Sequence, residues 1–144
     1  TVPGVTAASA AASVLGAPLM HDFTIISLSD LMTPYSLIMK RVDCAGQGDF
    51  IVCFYNPKSK KRADYVEKAA EILMKYRDGK TPVGIVRHAG REEESYITTL
   101  DAVKDAPIDM FSIVIVGNSN TYVRDGKMIT PRGYEDKYGF ANVE

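Results

Sequence analysis

Two unbroken apolar runs constrain the fold of this chain more than any other feature of its sequence. They occupy residues 50–55 (FIVCFY) and residues 112–117 (SIVIVG). Their β-branched and aromatic side chains favour extended structure. A strand without polar alternation is buried on both faces, as the central strands of a helix-covered sheet are. The two runs therefore predict central strands of a layered α/β domain.

Further strands and helices are predicted between and around these runs. Residues 122–129 predict a hairpin, because the dipeptide at 125–126 (Asp-Gly) is typical of two-residue hairpin turns. We therefore predict an α/β domain of three layers, with a mixed sheet of about five strands and about four helices, in which the hairpin makes the sheet mixed. The remaining predicted strands are residues 23–28 and 81–86, with residues 96–98 extended, and the predicted helices are residues 7–15, 34–46, 60–76 and 100–104.

Length and charge exclude several classes of protein. The 144 residues fit one domain, which contains 46% hydrophobic and 24% charged residues and has a formal net charge of −1. This balance is typical of soluble globular chains and predicts no nucleic-acid or membrane partner. Cys44 and Cys53 lack the spacing of metal ligands or of a redox pair, so we expect free thiols in a reducing cytoplasm and no metal site.

The stretch VPGVTAASAAASVLGAP at residues 2–18 combines a Pro-Gly turn with an alanine-rich helix. Thr6 is the predicted N-cap of that helix, and residues 1–3 are expected to end a strand that continues upstream. Alanine presents little bulk, so a flat ligand can approach the first turn, where N–H groups attract oxygen acceptors. An ordinary alanine-rich helix packed on a sheet is the alternative, and the composition leaves both open.

Three loops leave the predicted carboxyl ends of strands, at Thr6, at Asn56 and at Ala89. Ligands of layered α/β proteins bind at that edge, where backbone groups are free to contact them. These loops contain small and polar residues, without a nucleotide-binding glycine motif or a catalytic triad. The sequence thus predicts ligand recognition through backbone contacts, and it identifies no catalytic residue.

A basic segment follows the second predicted strand. Ser59 is the predicted N-cap of the next helix, which would bring positive charges to the positive end of that helix. Each such mismatch costs roughly 0.3–1 kcal/mol when exposed, and a polyanionic ligand would offset the cost. A solvated basic face is the alternative, since exposed charges are screened. The candidate substrate-binding residues are Lys58, Lys60, Lys61 and Arg62.

Five segments of the chain resemble the tetrapyrrole methylases. They read VPGVTAASAAASVLGAPLMHDF, IISLSDLMTP, YNPKSKKR, VGIVRHAGREEE and VIVGNSNTYVRDGKMITPRGY, and they extend over essentially the whole chain. The Pro-Gly-Val-Thr-Ala turn resembles the whole superfamily. The YNPKSKKR and HAGR stretches resemble more narrowly the branch that methylates C17 of precorrin-3B or of cobalt-factor III.

The resemblance implies two α/β domains with S-adenosylmethionine bound in the cleft between them. Residues 1–144 would be the C-terminal domain, and the N-terminal domain would be absent from this chain. Backbone contacts to the cofactor would come from Thr6, Ala7, Asn56 and Ala89.

The implied reaction transfers a methyl group to C17 of precorrin-3B or cobalt-factor III, with ring contraction, in cobalamin biosynthesis. The carboxylates of this corrinoid substrate would suit the basic segment. A cytoplasmic homodimer is also implied. Another precorrin or uroporphyrinogen methylase, or a non-catalytic binding or dimerisation module on the same scaffold, stays open.

Overall fold

The computed structural model describes residues 1–59, 64–89 and 92–134. Within these ranges the chain forms two sheets and four helical segments, one of which is a 3-10 helix. In chain order the elements are α1 (Ala7–Leu15), β1 (Gly16–Ala17), β2 (Phe23–Ser27), α2 (Tyr35–Gln47), β3 (Ile51–Tyr55), α3 (Tyr65–Leu73), β4 (Pro82–Arg87), β5 (Glu94–Thr99), the 3-10 helix (Leu100–Asp105), β6 (Ser112–Val116), β7 (Tyr122–Arg124) and β8 (Lys127–Ile129).

The main sheet has five strands in the order β2-β3-β6-β4-β5. Strand β2 is parallel to β3, whereas β6 is antiparallel to both of its neighbours, β3 and β4. Strands β2, β3 and β4 therefore point the same way, and their carboxyl ends lie at one edge of the sheet. The predicted central strands are confirmed, because β3 and β6 occupy the second and third positions and are largely buried.

Two apolar clusters cover the two faces of the main sheet, which confirms the three-layer prediction. Helices α2 and α3 and the 3-10 helix pack on one face, around Val52, Phe54 and Val114. Helix α1 packs on the other face, with Cys53 and Ile115 beneath it. Period-two alternation along β3 sends successive side chains to opposite layers, so its continuous apolar run satisfies both clusters.

Helix α1 approaches the main sheet closely at Gly84. A Cβ added to Gly84 would clash with the side chain of Leu15, so the absence of a side chain creates space for α1. The buried side of α1 is otherwise made of alanines, including Ala8 and Ala11 at 0% exposure. Small residues on both partners thus allow this close packing, and the packing interpretation of the alanine-rich stretch is correct for its inner face.

The hairpin corrects one part of the prediction. The turn is as expected, since Asp125 and Gly126 have φ values of 50° and 70°. Strands β7 and β8, however, belong to a separate three-stranded sheet with β1. The main sheet is mixed because β6 and β5 are antiparallel to β4, and the hairpin plays no part in it.

Helix starts differ from the sequence prediction at two places. Helix α2 begins at Tyr35, one residue late, because Pro34 has the extended ψ of 139° and is the N-cap residue itself. Helix α3 begins at Tyr65, after Asp64, and not at residue 60. Residues 1–6 form neither strand nor helix, so the strand expected at residues 1–3 is absent from the described structure. Among the described residues, no helix is both long and apolar enough to cross a lipid bilayer.

Candidate functional site

The carboxyl edge of strands β2, β3 and β4 contains the predicted ligand-binding loops. Asn56 follows β3, and Ala89 follows β4 after His88. Asn56 and His88 both have left-handed backbones, with φ values of 52° and 51°. This conformation costs most residues roughly 1–2 kcal/mol, although asparagine tolerates it well. Each strand thus ends in an abrupt turn. We call the group of Thr6, Ala7, Asn56 and Ala89 the rim.

The start of α1 is bonded to the end of β3 through Tyr55. The Tyr55 hydroxyl accepts a hydrogen bond from the Ala8 N–H at 2.8 Å and lies 2.6 Å from the Thr6 hydroxyl oxygen. Thr6 occupies the predicted N-cap position, but its side chain makes no capping hydrogen bond. Tyr55 takes over the capping role, since an N–H of the first turn needs an acceptor from outside the helix. The expected capping contact of Thr6 is therefore wrong, although the helix boundary is confirmed.

Asn56 is tied to strand β2 on its other side. Its side-chain Nδ2 donates to the Ser27 hydroxyl oxygen at 3.0 Å, and that oxygen also accepts the Ser29 N–H at 3.2 Å. The backbones are joined as well, because the Leu28 N–H donates to the Tyr55 carbonyl at 2.9 Å. The carboxyl ends of β2 and β3 are thus held in one fixed arrangement.

Ala89 is half-buried against the α1 side of the sheet, and Tyr55 packs against the same apolar cluster. The neighbouring His88 ring stacks on Phe111, with ring centroids 5.3 Å apart and planes 25° apart. Ala89 and Tyr55 therefore border one apolar cluster on the α1 side of the main sheet, with β6 between their two strands.

Arg87, the last residue of β4, anchors this edge through two carboxylates. Its guanidinium lies 2.8 Å from Asp109 and 2.6 Å from Glu94. Partial burial of Asp109 opposes ionisation, but hydrogen bonds from Ser112, from the Phe111 N–H and from Arg87 outweigh it and lower the pKa of Asp109. The β4 end is therefore fixed by charge pairing rather than by apolar packing alone.

The N-cap residue of α3 is not the one that the sequence predicted. Ser59 lies five residues before Asp64, which is the N-cap residue of α3. The argument from crowded positive charge at a helix start is therefore wrong. Lys58 is half-buried and borders a small cavity with Val66 and Glu67. Lys60, Lys61 and Arg62 lie outside the described residues.

Several polar residues have local structural contacts away from the rim. The ring Nδ1 of His21 accepts the Asp22 N–H at 2.9 Å, and the Tyr65 hydroxyl donates to Asp30 at 2.8 Å. Both cysteines are free thiols in the described structure, with Cys44 exposed and Cys53 buried. Over residues 1–59, 64–89 and 92–134, no group of three or more potential metal-ligating side chains was found.

Sequence reasoning missed Tyr55 and Ser27, whose hydroxyls bond the rim residues together. Tyr55 ends an apolar strand and reads as one more core aromatic. Its hydroxyl partners are 47 and 49 residues away in the sequence, so no local spacing connects them. The one available signal was chemical: a tyrosine at a strand end presents a polar tip beside whatever covers the sheet.

The rim offers a ligand small side chains and backbone groups at strand ends. Its polar side chains, those of Thr6 and Asn56, are exposed, and each is already oriented by a neighbouring hydroxyl. Such an arrangement can bind and orient a ligand with several hydrogen-bonding groups.

A family model described as Tetrapyrrole (Corrin/Porphyrin) Methylases matches residues 1–104. A probable cobalt-factor III C(17)-methyltransferase of Salmonella typhimurium is 56% identical over 134 residues, which cover 92% of this chain and 56% of that protein. A protein of the same description from Methanocaldococcus jannaschii is 50% identical, over 95% of this chain and 58% of the relative. The chain thus spans little more than half the length of these relatives.

Solved structures give the same picture. The methyltransferase CobJ superposes with a TM-score of 0.81 at 37% identity, over 90% of this chain and 54% of CobJ. The cobalt precorrin-4 methyltransferase CbiF has a TM-score of 0.64 at 24% identity, which supports the fold alone. The predicted fold class is confirmed. With a family model that matches most of its length and relatives about half identical to it, the chain belongs to the tetrapyrrole (corrin/porphyrin) methylases.

Proposed function

We propose that this chain forms one wall of the active site of an S-adenosylmethionine-dependent methyltransferase in cobalamin biosynthesis. The reaction we propose is methylation at C17 of cobalt-factor III or precorrin-3B, with ring contraction. Support for this specificity comes from relatives at 49–56% identity whose names specify cobalt-factor III methylation. The whole reaction is proposed for the longer protein, because the chain covers between 27% and 58% of the length of those relatives.

The 2.6 Å contact between Thr6 and Tyr55 carries the proposal for the cofactor site. It joins the first turn of α1 to the end of β3, and Asn56 is the next residue. We propose that Thr6, Ala7, Asn56 and Ala89 contact S-adenosylmethionine, largely through backbone atoms. A site at the carboxyl ends of sheet strands fits the general behaviour of layered α/β proteins.

The proposed reaction mainly requires the protein to align the methyl donor with the carbon that receives the methyl group. When bound, S-adenosylmethionine would supply a methyl group activated by its sulfonium, and the residues of the rim would hold it in place. Rigid positioning of two reactants accounts for a large share of rate enhancement in such transfers. The rim suits this role, because hydroxyl hydrogen bonds orient the side chains of Thr6 and Asn56.

The rest of the site and the assembly belong to the same proposal. We propose that residues 1–144 act as the C-terminal domain, that a second domain supplies the facing wall, and that the protein is a cytoplasmic homodimer. The free cysteines fit a reducing compartment. Lys58 and the neighbouring Lys60, Lys61 and Arg62 remain proposed contacts to substrate carboxylates, now without the helix-start argument.

Titration calorimetry with S-adenosylhomocysteine tests the cofactor site. The measurement uses the full-length protein, and the 144-residue chain is measured in parallel. Binding by the full protein, lost on Thr6→Arg and retained on Ser13→Arg, is the expected result. Ser13 is a fair control because it is exposed on α1, one helix length away from the rim. Absence of binding by the full protein would overturn the proposal.

Substrate choice is tested by product mass. Cobalt-factor III and uroporphyrinogen III are each incubated with the full protein and S-adenosylmethionine. We expect the mass of one methyl group to be added to cobalt-factor III alone. Methylation of uroporphyrinogen III alone would replace the proposed substrate with that of another family branch. Cofactor binding without methylation of either would support the non-catalytic module instead.

A further inference from the structure

Two hydroxyl groups bond the rim without belonging to the residues proposed to contact the cofactor. The Tyr55 hydroxyl joins the first turn of α1 to β3, and the Ser27 hydroxyl joins Asn56 to β2. Tyr55 and Ser27 are directly paired in the parallel register of β2 and β3. Their side chains therefore project from the same side of the sheet, side by side, at its carboxyl edge.

From this arrangement we infer that Tyr55 and Ser27 are positioning residues for the cofactor-binding loops. Tyr55 sets the distance between the Thr6–Ala7 turn and the end of β3. Ser27 sets the side-chain direction of Asn56. Both inferences rest on the proposed function, because the loops they hold are the ones assigned to S-adenosylmethionine.

The geometry favours Tyr55 as the principal member of the pair. The phenolic oxygen has two partners on α1, an N–H and a hydroxyl, at 2.8 and 2.6 Å. The tyrosine ring is rigid and has only two side-chain torsions, so a hydroxyl at its tip defines a distance well. Helix α1 itself offers no substitute, since Thr6 does not cap its own helix. Without the phenol, the Ala8 N–H loses its protein acceptor and the turn is free to shift.

The test compares Tyr55→Phe with Tyr76→Phe as a matched control. Tyr76 also donates one hydroxyl hydrogen bond, at 2.7 Å to Asp43, and its ring packs beside Gly46 on α2. It is followed by Arg77, whose guanidinium bonds the amino end of β3, at the far edge of the sheet from the rim. Both substitutions remove one phenolic oxygen and keep the ring. Tyr55→Phe loses two hydrogen bonds and Tyr76→Phe loses one, so Tyr55→Phe should lower stability somewhat more.

The deciding measurement is the affinity of the full-length protein for S-adenosylhomocysteine. Thermal unfolding of the same variants is measured in parallel. We expect Tyr55→Phe to weaken binding about tenfold and Tyr76→Phe to leave it unchanged, since a hydrogen bond contributes energy of this order. A purely structural Tyr55 would lower the melting temperature as Tyr76→Phe does and leave affinity alone. That result would overturn the positioning role while the proposed function stands. Wild-type protein that fails to bind would overturn both.

A double substitution separates positioning from direct contact. Thr6→Val removes the hydroxyl partner of Tyr55, and its loss of affinity should add only partly to that of Tyr55→Phe, because Tyr55→Phe already breaks that contact together with the bond to the Ala8 N–H. Ser27→Ala should weaken binding less than Tyr55→Phe, since Ser27 orients only the exposed Asn56 side chain. Fully additive losses for Thr6→Val and Tyr55→Phe would contradict the shared role.

Discussion

The carboxyl edge of the main sheet, at the rim, and the opposite edge, where β3 begins, each contain a residue with positive φ, but the surroundings of the two residues differ. Asn56 at the rim and Asp49 before β3 both have a φ of 52°. The Asp49 carboxylate accepts two bonds from Ser119, from its N–H at 3.0 Å and its hydroxyl at 2.6 Å. The Asn56 side chain donates one bond, to Ser27. Among the described residues, the Asp49 turn is thus held by two side-chain hydrogen bonds to Ser119 and the Asn56 turn by one, to Ser27.

Arg77 makes the contrast sharper. Its guanidinium is buried and donates to the carbonyls of Gly117 at 2.6 Å, Phe50 at 3.0 Å and Ala45 at 3.4 Å. Burial lowers the pKa of Arg77, and Asp49 at 3.8 Å acts in the opposite direction. We call Arg77, Asp49, Gly117 and Ser119 the arginine edge. Three carbonyls there bond the guanidinium, although the buried Arg77 Nε has no hydrogen-bond partner among the described residues. The polar side chains of the rim, Thr6 and Asn56, are instead exposed, which is what a binding edge requires.

The largest expected effect is the loss of Arg77. Arg77→Ala removes the guanidinium bonds to three carbonyls, two of them buried bonds, although the Ala45 carbonyl keeps the Phe50 N–H; it should destabilise the protein by about 3 kcal/mol. Urea unfolding followed by circular dichroism measures this. Arg77→Lys should recover part of the loss, since an ammonium can donate but cannot match the planar fork. A loss below about 1 kcal/mol for Arg77→Ala would remove the distinction between a structural and a binding edge.

Gly84 lies in β4, between the rim and the arginine edge, and packs directly against Leu15 of α1. Gly84→Ala brings a methyl group against Leu15 and should destabilise the protein by about 1–3 kcal/mol through overpacking. Gly4→Ala is the control, since nothing lies within 4 Å of the added carbon. Thermal unfolding measures both. If Gly84→Ala were as silent as Gly4→Ala, the close packing of α1 that positions Thr6 would be wrong.

Parts of this architecture could be predicted and parts could not, for physical reasons. Strands β3 and β6 follow from local composition, because a strand buried on both faces needs apolar residues at every position. The start of α3 could not be predicted, since Ser59 and Asp64 are both good capping residues and only tertiary packing selects between them. Strand β1 has two residues and exists through its pairing with β8.

The candidate site also contains some residues that the sequence could predict and others that it could not. Thr6, Asn56 and Ala89 were predicted as loop residues from turn chemistry and strand ends, and the family resemblance supplied their proposed ligand. Tyr55 and Arg77 were missed, because a tyrosine in a strand reads as core and an arginine after a helix reads as exposed. Their contacts join distant segments, and sequence spacing carries no record of them.

Glycine substitution tests the two strained turns against each other. Glycine adopts positive φ without cost, so it removes strain and side-chain bonds together. Asp49→Gly should lose about 1–2 kcal/mol, because two bonds to Ser119 disappear. Asn56→Gly should change stability by less than about 0.5 kcal/mol, since the lost bond to Ser27 is exposed and strain is relieved. Urea unfolding of both variants gives the difference, and equal losses would mean that the edges are built alike.

The smallest effect concerns Cys53, midway along β3 between the two edges. Burial raises the pKa of the Cys53 thiol from 9.0 to about 12. The thiol ionises in the unfolded chain first, so its stabilising contribution is complete below pH 9 and is lost as the pH rises from 9 towards 12. Raising the pH from 8 to 9.5 should therefore cost about 0.8 kcal/mol through this group.

The free energy of unfolding at the two pH values, for wild type and for Cys53→Ala, isolates that contribution from other titrating groups. The alanine variant should be less stable at pH 8 and lose less between pH 8 and pH 9.5. A thiol reagent adds a kinetic measure, because exposed Cys44 should react at once and Cys53 only when β3 opens. If the arginine edge holds β3 closed, Arg77→Ala should speed the Cys53 reaction far more than Asn56→Gly. Equal acceleration by the two would mean that opening does not begin at one edge in preference to the other.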